Sequence, residues 1–393
     1  MAAAPCPIAS NAHEKRLIFV DALRVSAILF VIIHHAAQAY GPTRGFWPVH
    51  DRAQSEWFAP FYTANSAFAM GLMFLLAGYF VPPSFERKGA RRFLRERWTR
   101  IGVPLAGLVL LVHLPAAYLI SGRPPLQDFI HALYEKGWQP IYLHLWFVAH
   151  LLLYTVAYVA WRQFFARSAQ TRSSQPPPGF VAVVGFVLAL ALVTFLVRIW
   201  YPIDRWVPFL WIMPAEHAHV PQYMALFGAG IVAFHGDWFR RMRTDPGIAW
   251  LAIGVIASVG IYLAYAFGAW RELMASGGLN LSSFIRSFWE TVIAVGLSIG
   301  LIVAFRNLFD RPSGLLSAMA AASFGAYILH PVIVVTLQQA IADFAMPAFA
   351  KFALVSLLGS ALAFALARLS GNLPGVRLVL GTTPPDTPQL SPG

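Results

Sequence analysis

Two adjacent histidines and an arginine lie in an apolar stretch near the start of the chain. Residues 21–41 read DALRVSAILFVIIHHAAQAYG and contain Asp21, Arg24, His34 and His35. A charged side chain at the centre of a bilayer costs about 2.5–3.5 kcal/mol on insertion scales, so such residues are candidates for function. Imidazole takes up and returns a proton near neutral pH. The stretch therefore carries side chains suited to acid–base catalysis.

Helical geometry decides which histidine accompanies Arg24. An α-helix turns about 100° and rises about 1.5 Å per residue, so Arg24 and His35 differ by roughly 20° and lie about 16 Å apart along the axis. His34 is rotated from that face by about 80°. We predict that His35 acts together with Arg24 and that His34 is its neighbour or orienter. Asp21, three residues before Arg24, is close enough to pair with it.

A structural interpretation of the same residues stays open. Asp21 and Arg24 would then lie at the cytoplasmic interface of a membrane helix, and the two histidines would form polar contacts between helices. Two histidines in the outer half of one span favour proton transfer over this interpretation, because imidazole suits that task.

The composition indicates an integral membrane protein. Hydrophobic residues make up 58% of the 393 residues and charged residues only 12%, whereas soluble proteins have about 25% charged residues. The net charge of +12 lies in short loops between apolar stretches, as the positive-inside rule produces, so nucleic-acid binding is not expected. Cys6 is the only cysteine, which excludes an internal disulfide. Residues 1–16 have no apolar core and do not resemble a cleavable signal peptide.

The apolar stretches predict an all-α membrane protein, a single polytopic bundle of about ten transmembrane helices. A helix needs about 20 apolar residues to cross the hydrocarbon core. The sixth stretch has the least certain start, because three prolines break the preceding segment, which is predicted to be re-entrant or an extracytoplasmic loop. The predicted spans are 17–39, 58–81, 101–120, 141–161, 180–200, 220–234, 248–267, 284–305, 315–341 and 349–369.

The basic residues predict the orientation of this bundle. With the N-terminus inside, 19 lysines and arginines fall on the cytoplasmic side and nine on the other, which favours both termini being cytoplasmic. The predicted organisation is a cytoplasmic segment at 1–16, a membrane domain at 17–369 and a cytoplasmic tail at 370–393. The tail is rich in proline and predicted to be disordered from about residue 381.

Five motifs in one order resemble acyltransferase family 3, a family of membrane proteins. Arg24 and His35 match its R-x10-H signature. The versions GVPL, HLWF and YILHP look most like the branch of the family that acts in glucan biosynthesis. The other matching stretches are MFLLAGYF at 73–80, RWTRIGVPL at 97–105, HLWFVAHLLLY at 144–154 and SFGAYILHPVIVV at 323–335.

The resemblance implies an integral membrane O-acyltransferase of a bacterial inner membrane. It would move an acyl group of the acetyl or succinyl type from cytoplasmic acyl-CoA to a hydroxyl of a carbohydrate or glycoconjugate at the outer face. His35 and Arg24 would be the catalytic pair, with His34 beside them and His35 as general base. Membrane lipids, the acyl-CoA donor and the carbohydrate would be its partners, and no tightly bound cofactor is expected. The acyl chain and the acceptor stay open.

The resemblance also assigns Arg97 and Arg100 to the phosphates of CoA. Arginine binds phosphate through two parallel hydrogen bonds, and these residues close a run, 87–100, with seven basic residues. In the alternative interpretation this run is an ordinary positive-inside segment that contacts lipid headgroups.

Further polar residues in or near the predicted spans are candidates for substrate binding. For each of them a structural role stays open, in particular a place in the interfacial aromatic belt for tryptophan. The H-A-H pattern at 217–219 is weak evidence for a metal, and no metal is expected. These candidates are His144, Trp146, Glu216, His217, Tyr327, His330 and Glu290.

The alternative function is a proton-coupled transporter. His34, His35, His330 and Glu290 are intramembrane groups of the kind that form proton relays. No matching pair of broken spans relates the two halves of the chain, as many transporter folds would require, and the ordered motifs favour the acyltransferase.

Overall fold

The computed structural model describes residues 17–43, 47–165, 176–273 and 275–371, and this part of the chain is mostly helical. The predictions for segment 1–16 and for the disordered tail lie outside the described residues. The helices are α1 (Ile18–Ala37), α2 (Phe58–Arg97), α3 (Val103–Gly107), α4 (Leu114–Ile120), α5 (Leu126–Glu135), α6 (Gln139–Tyr142), α7 (Trp146–Phe164), α8 (Phe180–Trp200), α9 (Val220–His235), α10 (Trp238–Arg241), α11 (Thr244–Ala266), α12 (Trp270–Leu273), α13 (Leu281–Leu308), α14 (Gly314–Ala340) and α15 (Ala348–Ser370).

The predicted all-α membrane fold is confirmed. Within the described residues, eight helical segments are long and apolar enough to cross a membrane. One of them, Phe58–Ile120, is 63 residues long and contains the second and third predicted spans. The sixth predicted span corresponds to α9, which with 16 residues is shorter than the others. The total of ten spans and the orientation of the termini therefore stay predictions.

The basic run between the second and third predicted spans is helical and sharply bent. Gly89 has a φ of 71°, a left-handed conformation that glycine adopts without steric cost, and it bends α2. Lys88 and Glu96, which would lie about 12 Å apart along a straight helix, form an ion pair across this bend. After α2 the backbone forms π-helical turns at Trp98–Gly102 and Leu108–His113, a conformation that often occurs near functional sites.

The proline-broken segment before the sixth span is an antiparallel hairpin of β1 (Trp206–Phe209) and β2 (Met213–Glu216). Leu210 and Trp211 form its turn with φ values of 48° and 66°. Two successive residues with positive φ are the mark of the tight turn whose twist matches paired strands. The hairpin gives the local structure of this segment, whereas its position as a re-entrant element or an extracytoplasmic loop stays a prediction.

Close packing holds the helices together where small residues face each other. A side chain at Gly78 of α2 would meet the Phe227 carbonyl oxygen at 2.1 Å, and one at Gly230 of α9 would meet the Leu75 carbonyl oxygen at 2.1 Å. Glycine at both positions lets the two backbones touch, as is common between membrane helices. The helix α1 packs on α14, α2, α13 and α15, so its polar side chains face other helices of the bundle.

Candidate active site

His35 of α1 lies against His330 of α14. The His35 Nδ1 atom is 3.1 Å from His330 Nε2 and 3.0 Å from the Val31 carbonyl oxygen. The His330 Nδ1 atom is 2.7 Å from the Tyr327 carbonyl oxygen. A carbonyl oxygen can only accept, so each neutral ring is assigned a proton on Nδ1. The single His35 Nδ1 proton is then shared between the Val31 carbonyl oxygen and His330 Nε2, and His35 Nε2 keeps the lone pair that a general base needs.

Trp47 covers the His35 ring. The two rings stack with centroids 5.1 Å apart and an angle of 29° between their planes. The Trp47 indole N–H donates to Gln338 Oε1 at 2.7 Å. The Gln338 amide donates in turn to the carbonyl oxygens of His35 and Ala36 at 3.2 and 3.1 Å. Gln338 thus satisfies two carbonyls at the end of α1 and holds Trp47 over the histidine.

An ion pair anchors the segment that carries Trp47. Lys351 Nζ at the start of α15 lies 2.8 and 3.0 Å from the two carboxylate oxygens of Asp51, and both residues are buried. Lys351 also donates to the Ala342 carbonyl oxygen at 2.8 Å. Removing one partner of a buried pair leaves an uncompensated charge, which costs about 3–5 kcal/mol. The pair therefore fixes the segment against the bundle.

His144 brings a third imidazole to the same place. Its ring lies 5.3 Å from those of His330 and Tyr327, centroid to centroid. The Tyr327 hydroxyl donates to the His144 backbone carbonyl. The sequence motifs that contain His35, His144 and the pair Tyr327 and His330 therefore meet at one point, although they are far apart in the chain.

Arg24 lies on the same side of α1 as His35, towards α14. Its guanidinium group pairs with Asp21 at 3.0 Å, as predicted, and donates to the Ala320 carbonyl oxygen at 3.3 Å. Ala320 and His330 belong to one helix, so the predicted shared face of Arg24 and His35 is confirmed as geometry.

A cavity of about 740 Å³ begins at Arg24 and extends along α14 as far as Tyr327, one turn before His330. Its size is in the range of small-molecule sites, which measure about 300–1,000 Å³. His35 and His330 do not line it, so the histidine pair lies beyond its inner end. The charged side chains that line it are Arg24, Lys88, Glu96, Arg97, Arg100 and Arg368.

The predicted phosphate-binding residues Arg97 and Arg100 both line this cavity. Arg97 ends α2 and lies over the Phe93 ring at 5.2 Å, and Arg100 lies in the first π-helical turn. Arg368, from the other end of the chain, joins them, although no sequence motif pointed to it. Arg100 and Arg368 are exposed, whereas Tyr327 at the other end is buried, so the cationic end is the entrance, and the interior is mostly apolar.

Two further predicted site residues, Glu216 and Glu290, lie in a second polar cluster. Glu290 of α13 is buried and accepts from Arg198 of α8 at 2.6 Å and from Arg286 at 2.8 Å. Arg286 lies four residues before Glu290 on the same helix, whereas Arg198 lies on another helix and was missed. His219, just before α9, lies 3.2 Å from Glu216 and 3.7 Å from Glu290. Glu216 and Glu290 therefore both contact His219, and neither belongs to the pair of His35 and His330.

This second cluster shifts the pKa values of His219 and Glu216, which both lie outside the membrane helices. Burial opposes a charge on His219, but the carboxylates of Glu216 and Glu290 outweigh burial and raise the pKa of His219 to about 9. Burial also opposes ionisation of Glu216, yet His219 and the Asp204 backbone amide lower its pKa. We therefore describe His219 as a cation held between two carboxylates.

Trp146 and His217 lie around the hairpin. Trp146 stacks on Tyr223 at 5.5 Å and contacts Trp206 at 5.7 Å, whereas His217 stacks on Tyr201 at 4.7 Å. Neither ring contacts His35 or His330 by these distances. Among the described residues, no group of three histidine, cysteine or acidic side chains could hold a metal ion.

Comparison with known proteins gives the family. The model of the acyltransferase domain (Acyl_transf_3) matches residues 17–368. Glucans biosynthesis protein C of Salmonella schwarzengrund (strain CVM19633) is 25% identical over 336 residues, 82% of this chain and 83% of that protein. The proteins of the same name from Salmonella paratyphi B (strain ATCC BAA-1250 / SPB7) and Salmonella enteritidis PT4 (strain P125109) are each 24% identical over 336 residues, again 82% of this chain and 83% of each protein. No solved structure matches the chain. The resemblance found in the motifs is confirmed: the chain belongs to the acyltransferase 3 family and is a multi-pass integral membrane acyltransferase.

Proposed function

We propose that the protein transfers an acetyl or succinyl group from cytoplasmic acyl-CoA to a carbohydrate hydroxyl at the outer face of a bacterial inner membrane. The observation that carries the proposal is the position of the His35 and His330 pair beyond the inner end of a cavity with a cationic entrance. The name of the relatives, glucans biosynthesis protein C, favours a glucan as the acceptor.

His35 would act as the general base. Its Nε2 atom takes the proton of the acceptor hydroxyl while the hydroxyl oxygen bonds to the thioester carbonyl carbon. The carbon–sulfur bond then breaks, the new ester keeps the acyl group, and the CoA sulfur leaves with the proton from His35. The imidazolium formed in between is stabilised because His35 Nδ1 donates to the His330 lone pair, an arrangement in which a second group orients the base.

The cationic entrance would hold the phosphates of CoA. Arg97, Arg100 and Arg368 line it together with Lys88, so several positive charges face the same space. Charge-assisted hydrogen bonds of this kind are roughly twice as strong as neutral ones. The apolar interior along α14 then suits the long, flexible arm that carries the thioester towards Tyr327.

His144 and Tyr327 would face the reacting carbonyl. Tyr327 lies at the inner end of the cavity, and His144 lies against His330. The imidazole of His144 could donate a hydrogen bond to the oxygen on which charge develops. Donors placed in this way often contribute a large share of catalysis.

The test is thiol release by the purified protein in proteoliposomes. With acetyl-CoA or succinyl-CoA and a linear β-glucan oligosaccharide, the wild type should release free CoA and give an oligosaccharide heavier by one acyl group. His35→Ala should lose both signals. Proton uptake on glucan addition, without any thiol release, would contradict the proposal and favour the transporter.

A further inference from the structure

A second group of polar atoms lies beside the histidine pair, between α1 and α2. His34 Nε2 is 3.4 Å from Gln38 Nε2, one turn further along α1. The other ring nitrogen of His34 and the side-chain oxygen of Gln38 are buried and have no hydrogen-bond partner among the described residues. The side-chain oxygen of Asn65 on α2 is also buried without a hydrogen-bond partner among the described residues. Gln38 is 8% exposed and Asn65 is 5% exposed.

The assignment of the Gln38 amide does not remove this deficit. With the amide nitrogen facing His34, the imidazole accepts at Nε2 and has a buried N–H at Nδ1 to donate. With the amide reversed, Nδ1 becomes a buried lone pair that needs a donor. In both arrangements one His34 nitrogen and one Gln38 atom remain to be satisfied, and a buried polar group without a partner is costly.

Aromatic rings enclose these atoms. His34 lies 5.5 Å from the ring of Tyr62 and 6.1 Å from that of Phe61. The Tyr62 hydroxyl donates to the Ala37 carbonyl oxygen at 2.7 Å, which fixes that ring against the end of α1.

Asn65 belongs to the same face of α2. It follows Phe61 by four residues and precedes Phe68 by three, a spacing that places all three on one side of a helix. Phe68 contacts Phe30 of α1 at 5.9 Å, so this side of α2 faces α1. Asn65 therefore lies between two ring contacts to α1, at the level of the turn that contains His34.

We propose that His34, Gln38 and Asn65 bind hydroxyl groups of the acceptor sugar, with Phe61 and Tyr62 as apolar walls. A sugar ring offers hydroxyls that both donate and accept, which these three side chains require, and apolar C–H faces that pack on aromatic rings. His34 and His35 have ring centroids 5.6 Å apart, so a sugar held at His34 can present a neighbouring hydroxyl to His35. This inference rests on the proposed function and assigns a place to its acceptor.

The test separates acceptor binding from donor binding. We would measure initial rates of CoA release in proteoliposomes, varying a linear β-glucan oligosaccharide at saturating acetyl-CoA, and then the reverse. Gln38→Met and Asn65→Leu keep the side-chain size and remove the hydrogen bonds. Each should raise the KM for the glucan by about tenfold, as expected for one buried hydrogen bond to a ligand, and change the KM for acetyl-CoA by less than about twofold.

Thr63→Val is the matched control, because the Thr63 hydroxyl donates within its own helix to the Ala59 carbonyl oxygen. Asn65→Ser and Gln38→Glu keep a polar atom at each position, so their KM for the glucan should lie between that of the wild type and that of the apolar variants. These two variants also serve as the test if a leucine or methionine variant fails to insert. Ordered water alone in this place would leave the glucan KM of all variants within about twofold of wild type, and that result overturns the inference while leaving the proposed function intact. A wild type that releases no thiol overturns both.

Discussion

The Nε2 atom of His330 lies 3.1 Å from the Nδ1 atom of His35, across the interface between α1 and α14. The two residues are 295 positions apart, and backbone carbonyls of their own helices fix the Nδ1 proton of each ring. The His34 ring, although adjacent to His35 in sequence, lies within hydrogen-bond distance of Gln38 instead, at 3.4 Å. The imidazole within hydrogen-bond distance of the candidate base is therefore that of His330 and not that of His34.

This pair leads to the first prediction, which concerns the rate of the chemical step. His35→Ala should lower kcat by at least about 10²- to 10⁴-fold, the usual contribution of a positioned acid–base group. His330→Ala should lower kcat about 10- to 150-fold, because a hydrogen bond to a charged group contributes roughly 1.5–3 kcal/mol. His34→Ala should retain more turnover than His35→Ala. An active His35→Ala variant beside an inactive His34→Ala variant would reverse the assignment.

The second prediction concerns the donor site. Arg97→Ala and Arg100→Ala should each raise the KM for acyl-CoA about 10- to 150-fold with a smaller effect on kcat, because each loses a charge-assisted phosphate contact. Arg91→Ala is the matched control, since Arg91 is exposed on α2 and does not line the cavity. An unchanged KM for acyl-CoA in both variants would contradict phosphate binding and favour contacts of the two arginines with lipid headgroups.

The third prediction concerns water at His35. Trp47→Ala should raise the ratio of acyl-CoA hydrolysis to glucan acylation, because the indole ring covers the imidazole and its loss admits water to the base. Trp47→Phe retains a ring but loses the hydrogen bond to Gln338, so its ratio should change by only about two- to tenfold. The ratio comes from thiol release compared with the mass of acylated product. A ratio equal to that of the wild type in both variants would show that Trp47 does not exclude water.

The sequence predicts this site unevenly, for physical reasons. Arg24 and His35 could be placed on one face because helical periodicity is local, and their contacts with Ala320 and His330 on α14 agree with that face. Trp47 and Gln338 were missed because their hydrogen bond joins residues 291 positions apart and depends on tertiary packing. Neither residue type is unusual in a membrane protein, so no signal in the sequence pointed to them.

The same contrast holds for the fold. All ten apolar stretches are helical, because twenty apolar residues in lipid have to satisfy their own backbone hydrogen bonds. The hairpin at 206–216 was not predicted, since its turn uses Leu210 and Trp211 instead of the asparagine and glycine that mark such turns. For Glu290, helical spacing alone brings Arg286 within reach, whereas the contact with Arg198 on another helix depends on tertiary packing and was not predicted.

The fourth prediction concerns pH and stability. His219 has a folded-state pKa of about 9, above its ordinary value of 6.5, so its interactions with Glu216 and Glu290 contribute fully below about pH 6.5 and are lost as the pH rises through about 9. The contribution is on the order of 3 kcal/mol, given 1.36 kcal/mol for each pKa unit. The unfolding temperature in detergent should therefore decrease as the pH is raised from 6.5 to 9. His219→Gln should have a lower unfolding temperature at pH 6.5 and a flatter profile, and an identical slope in both proteins would contradict the assignment.

The last prediction is that donor and acceptor are used from opposite faces of the membrane. Arg24 and His35 lie about 16 Å apart along α1, and the cavity with the cationic entrance reaches inward from the Arg24 end. The polar atoms of His34, Gln38 and Asn65 lie near the His35 end instead, where Trp47 and the Asp51–Lys351 pair close the bundle. A thioester arm that enters between helices would meet the sugar hydroxyl at a base shielded from bulk water, which limits wasteful hydrolysis. The measurement uses oriented proteoliposomes with acyl-CoA on one side and the glucan on the other. Acylation should occur with acyl-CoA and the glucan on opposite sides, and only for one of the two ways of placing them. Acylation that requires both substrates on the same side would exclude transfer across the membrane, although a one-sided acyltransferase would remain possible.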